Sequence, residues 1–111
     1  MVNARAKGAA FERECAKQIN AMLETTHIED RVERNLNQYQ HANQPDLQLR
    51  YLYFECKNYA RNSNNWYKKK WWQQVCEAAG DDNVPILIFK FNRLPIRVAF
   101  PLSMINSNIS D

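Results

Sequence analysis

Gln44-Pro45-Asp46-Leu47-Gln48-Leu49-Arg50-Tyr51-Leu52-Tyr53-Phe54-Glu55-Cys56-Lys57 reads as two short strands in strict alternation. Leu47, Leu49, Leu52, Phe54 and Cys56 fall on one face; Asp46, Gln48, Tyr53, Glu55 and Lys57 fall on the other. A reversal at Arg50-Tyr51 pairs Leu49 with Leu52 and Leu47 with Phe54. The same register sets Asp46 across from Glu55 on the opposite face, with Cβ atoms about 5 Å apart. Carboxylates that close repel each other, so positive charge belongs between them. Lys57, on the same face as Glu55, supplies one charge; a divalent cation would supply the rest. The plainer alternative is an amphipathic hairpin whose outer face carries solvated charges.

Length and composition set the frame for this hairpin. The 111 residues suit a single domain, 1–111, able to bury a real core. A hydrophobic content of 45% with 24% charged residues is that of an ordinary globular protein. The formal net charge of +3 leans only weakly toward a polyanionic partner. The opening Met1-Val2-Asn3-Ala4-Arg5-Ala6-Lys7 has no apolar signal-peptide core, and no apolar run approaches membrane-spanning length. Cys15, Cys56 and Cys76 lack zinc spacing and fall on apolar faces, which reads as reduced core residues in a cytoplasmic protein.

Taken in order, the chain opens with a helical pattern from about Lys7 to Leu23. Gly8, Phe11, Cys15, Ala16, Ile19, Met22 and Leu23 form an apolar arc roughly 140° wide. Glu12 lies inside that arc, whereas Arg13, Glu14 and Lys17 lie outside it. A carboxylate on a buried stripe is costly unless it is paired or bound to a metal, or unless the helix rolls and lets it reach the rim. Arg31–Leu36 can form a first strand. The amide-rich loop after it, with Gln38, Tyr39 and His41, stands at the rim of the hairpin's charged face.

Asn58–Asn65 reads as a second polar loop, and Trp66–Ala79 as a helix capped by Asn64 or Asn65 and stopped at Gly80. Its apolar stripe is Trp71, Trp72, Val75, Cys76, Ala78 and Ala79. Trp66 and Tyr67, beside Lys68-Lys69-Lys70, suit contact with a phosphate-bearing strand; a solvated helix face fits the lysines equally well. Val84–Phe91 is almost continuously apolar, as a strand covered on both faces should be. Ile96–Phe100 returns as a last strand, and the tail closes in a short helix. A hairpin followed by a crossover helix and a buried strand gives a mixed sheet flanked by helices, in the order αβββαβ.

Pro45-Asp46 followed by Glu55-Cys56-Lys57 resembles the PD-(D/E)XK nuclease signature, and the order of elements resembles that superfamily's restriction-endonuclease-like α/β core. Lys7-Gly8-Ala9-Ala10-Phe11-Glu12-Arg13-Glu14, Gln74, Pro85 and Asn92-Arg93 narrow the resemblance to small Holliday-junction-resolvase-like endonucleases of archaea and phages. One departure stands out: the hairpin lacks the Gly or Asn usual in a tight reversal.

The resemblance implies a DNA endonuclease, acting on branched or double-stranded DNA as a homodimer. Its catalytic set would be Glu12, Asp46, Glu55 and Lys57. Mg²⁺, with Mn²⁺ as a substitute, would be held by Asp46, Glu55, the Cys56 carbonyl and Glu12, directly or through water. Gln74, or Gln73 if the helix phase differs, would steady Lys57 or the attacking water. Arg13, Arg34, Gln38, Tyr39, Arg61, Lys68 and Lys69 would meet the DNA. A flap- or restriction-type nuclease on the same fold, or a binding module without turnover, are the alternatives.

Overall fold

A computed structural model describes residues 4–35, 44–61 and 63–109. The elements are α1 (Ala4–Thr25), β1 (Glu33–Arg34), β2 (Leu47–Leu49), β3 (Leu52–Tyr59), α2 (Lys69–Ala79), β4 (Val84–Phe91), β5 (Arg97–Ala99) and α3 (Leu102–Ile109). Five strands form one sheet in the order β1-β2-β3-β4-β5. Only β3 and β4, joined through α2, run parallel; the other neighbours are antiparallel. This is the mixed α/β sheet expected from the pattern.

The hairpin adopts the register that alternation demands, Leu49 opposite Leu52 and Leu47 opposite Phe54. Without a glycine in the turn, Arg50 itself takes φ +54°, a left-handed conformation costly for a long side chain. β4 is covered on both faces because its side chains feed two cores. Ile86 and Ile88 pack with Phe54, Leu47, Phe11 and Cys15 beneath α1. Leu87, Phe89 and Phe91 pack with Trp71 and Val75 beneath α2.

Several boundaries differ from the sequence expectation. β3 runs on to Tyr59, so Asn58 and Tyr59 belong to the strand and not to the following loop. α2 begins only at Lys69, with Lys68 at its cap position making no side-chain cap bond. Asn64 instead accepts the Trp66 N–H at 3.2 Å, and Asn65 at φ +52° turns the chain away from a helical course. Trp66 and Tyr67 thus precede the helix, their rings edge-on to Phe89. β1 shrinks to Glu33–Arg34 and β5 to Arg97–Ala99. Met22, placed on the core arc by periodicity, is 60% exposed.

Past Thr25 the helix ends without glycine. His27 takes φ +62° and the Ile28 N–H reaches back to the Leu23 carbonyl at 2.9 Å. The return toward the sheet is then clamped to α1. Asn20 accepts the Val32 N–H at 2.7 Å and donates to the Val32 carbonyl at 3.1 Å. That two-way bond delivers Arg34 to the flank of α1.

Candidate active site

Asp46 sits just before β2 with its backbone tied on both sides. Its N–H donates to the Phe54 carbonyl at 2.9 Å, and its own carbonyl accepts the Asn35 N–H at 2.8 Å. β2 reaches no further along β3, so beyond Phe54 that edge of β3 has no strand partner among the described residues. The Asp46 carboxylate fills the gap: its Oδ2 accepts the Cys56 N–H at 2.7 Å. In an extended strand a residue's N–H and C=O point to the same side. The Cys56 carbonyl is therefore aimed along the edge that Asp46 occupies.

Glu55 lies on the face covered by α2, and Gln74 of that helix donates to its Oε1 at 3.2 Å. Of the two adjacent glutamines, it is Gln74 that makes this bond. Glu55 Oε2 is buried and has no hydrogen-bond partner among the described residues. Glu55 is 2% exposed and Asp46 6% exposed. Burial, then the negative charge of Asp46, pushes the Glu55 carboxyl from 4.5 up to about 9. Burial likewise raises Asp46 from 3.8 to about 6, against the lowering effect of the Cys56 N–H and of Lys57. Two buried carboxyls that resist ionisation, one with an orphaned oxygen, form a site short of positive charge. Hard oxygen donors of this kind, completed by a carbonyl, fit a divalent cation such as Mg²⁺.

Glu12, also buried, is turned toward β1: Arg34 Nε donates to its Oε1 at 3.1 Å. Its charge still acts on Asp46 and Glu55. Among the described residues no three His, Cys, Asp or Glu side chains form a ready coordination group. The acidic pair and the Cys56 carbonyl are thus the donors at hand, with Glu12 held apart by its ion pair. Arg34, expected at phosphates, spends its Nε on that pair. Cys56 also approaches Cys15; a hydrogen bond between the thiols and burial raise the Cys56 pKa well above its ordinary value.

Two hollows border the strands that carry the carboxylates. One, of ≈ 510 Å³, is walled by Arg31, Arg34 and Arg50, by the carboxylates Asp30 and Glu33, the first of them paired with Arg50, and by Asn35, Gln44 and Gln48. The other, of ≈ 320 Å³, follows β3 from Cys56 through Lys57 and Asn58 to Tyr59, closed by Lys7 and Gly8 of α1. Arg13, Arg61, Lys68 and Lys69 are exposed, with Lys68 Nζ near the rings of both Tyr59 and Trp71. Gln38 and Tyr39, with His41, lie outside the described residues. Sequence reasoning passed over Asn20 and Tyr59. Carrying the Tyr53-Glu55-Lys57 alternation one step further would have placed Tyr59 on the same face.

A mixed sheet whose central hairpin carries Pro45-Asp46 and Glu55-Cys56-Lys57, with the carboxylates buried side by side, is the arrangement of the PD-(D/E)XK nuclease superfamily. Within it the chain belongs to the family described as "phage putative PDDEXK endonuclease", which it matches over residues 3–111. No curated protein and no solved structure matches the chain. No helix among the described residues is long and apolar enough to cross a membrane.

Proposed function

We propose that this protein is a Mg²⁺-dependent endonuclease selective for branched DNA, a Holliday-junction resolvase working as a homodimer in the cytoplasm. The observation that carries the hydrolytic part is the buried Asp46–Glu55 pair, with its orphaned oxygen, placed where the Cys56 carbonyl opens onto an unpaired strand edge. The choice of a four-way junction rests on the resemblance to small resolvase-like endonucleases, supported by family membership at the level of endonuclease.

When bound, a divalent cation polarises the scissile phosphate and lowers the pKa of water at the site. Asp46, Glu55 and the Cys56 carbonyl would hold it. Gln74 keeps Glu55 from swinging away from Asp46. Lys57, on the Glu55 face, orients the attacking water and offsets negative charge on the pentacovalent transition state. Glu12 fixes Arg34 at the wall of the larger hollow, leaving the terminal guanidinium N–H groups for phosphate. Arg13, Arg61, Lys68 and Lys69 extend that electrostatic contact over the surface.

The test is cleavage of a labelled four-way junction beside linear duplex, flap and single strand, with Mg²⁺, Mn²⁺ or EDTA. Paired, metal-dependent nicks near the crossover, lost in Asp46→Asn and Lys57→Ala, are the expected result. Preference for flaps or duplex would keep the chemistry and discard the substrate. Tight junction binding with no cutting in any divalent metal would leave a binding module and overturn the mechanism.

A further inference from the structure

Tyr59 closes the face that Glu55 and Lys57 begin. It is two residues beyond Lys57 on the same side of β3, about 7 Å further along the strand. It is 42% exposed, yet its ring is rigidly backed. Its ring stacks on Trp71 at 4.8 Å between centroids and 21° between planes. Trp71, 2% exposed, is in turn stacked on Phe91. Lys68 Nζ lies 5.6 Å from the Tyr59 centroid and 5.7 Å from that of Trp71. A cation nearly equidistant from two stacked rings sits beside the stack and does not cover its outer ring. Tyr59 is also among the residues that line the ≈ 320 Å³ hollow beside Lys57 and Asn58, a volume at the small end of ligand-sized cavities.

We propose that Tyr59 is a stacking platform for an unpaired base adjoining the cleaved phosphodiester, so that the enzyme selects strands already unstacked at the point of cutting. The inference deepens the nuclease reading and rests on it for the position of the phosphate. Three features converge on a nucleobase. A flat ring backed by a second and third ring is preorganised for a further π-face. Lys68, beside the stack, and Lys57, before it, supply the charges that a strand tracking along β3 needs. The distance from Lys57 to Tyr59 matches the separation of successive nucleotides in an extended strand. A base paired within a continuous duplex cannot enter the hollow without flipping, which is least costly for a base at a branch or mismatch. Tyr59 therefore acts on substrate choice and not on the chemical step.

Two measurements on the full chain test the platform. The first needs no cleavage: in EDTA, wild type is titrated onto strands carrying 2-aminopurine at an unpaired or a fully paired position. Quenching at the unpaired base in wild type and Tyr59→Phe, lost in Tyr59→Leu, is expected. The second compares kcat/KM for a duplex bearing one unpaired nucleotide at the cut with that for the continuous duplex. Tyr59→Leu should lower this ratio about 10- to 100-fold, the worth of one base–aromatic stack, and Tyr59→Phe should restore it. Thermal unfolding of both variants separates lost support for Trp71 from lost stacking, since a merely structural role would reduce both substrates alike. Cutting by wild type with an unchanged ratio in Tyr59→Leu would overturn the platform and leave the nuclease standing. Selective quenching without cutting in any metal would remove the nuclease reading and leave the platform. Equal quenching at paired and unpaired bases would overturn it outright.

Discussion

Glu55 keeps, when folded, a proton that the unfolded chain gives up near 4.5; burial and the charge of Asp46 hold it to about pH 9. Between those values the folded chain binds more protons than the unfolded one. Metal-free stability is therefore greatest at the acid end of this window and falls as pH rises through it. Asp46, raised from 3.8 to about 6, adds to the fall over the lower part. Thermal midpoints in EDTA should drop steadily toward pH 9, and Glu55→Gln, which cannot ionise, should flatten the drop. Mg²⁺ should restore the wild type most at the alkaline end. Gln74→Ala, which frees Glu55 Oε1, should lower turnover about tenfold, the usual range for a group steadying a metal ligand, while Gln73→Ala should leave it unchanged. The facing carboxyls were readable because a side-chain period of two leaves few choices once Leu47, Leu49, Leu52 and Phe54 are apolar. The Glu12–Arg34 pair was not, since it joins groups 22 positions apart through a helix–strand approach that no local pattern records.

The elements differ in how much holds them in place. β3 and β4 pair over eight positions, whereas β1 has only two residues and depends on Asn20 to bring it against α1. Asn20→Ala should cost about 2 kcal/mol by losing two partly buried hydrogen bonds to Val32. Urea unfolding would show this as a lower midpoint at unchanged slope. Because β1 carries Arg34, junction affinity should fall with it. The long periodic stretch of α1 and the continuous apolar run of β4 announced themselves, as did the register of the hairpin. The late start of α2 did not: Trp66 and Tyr67 are apolar enough to extend a helical stripe, but their rings instead stand edge-on to Phe89. β3 was cut short in the same way, because Asn58 suggests a turn until β4 supplies a partner for it.

The assembled protein has a lopsided surface. At the sheet edge formed by β5, Val98 is 51% exposed and, just beyond it, Leu102 is 73% exposed. Phe100 and Ile105 are exposed beside them in sequence. If two copies pair through this margin, the wild type should sediment at twice the mass of one chain. Val98→Asp combined with Leu102→Asp should then sediment as one chain and convert paired junction cuts into single nicks. Substitution of exposed apolar residues outside the cores should leave the thermal midpoint nearly unchanged.

The parallel pairing of β3 with β4 also sets a timetable. Leu52 waits for Val84, and each later residue of β3 waits for a partner equally far ahead. On the ribosome, the segment bearing Glu55 and Lys57 thus emerges long before the strand that positions it. The acidic face of β3 therefore stays without its neighbouring strand until the chain has grown as far as β4.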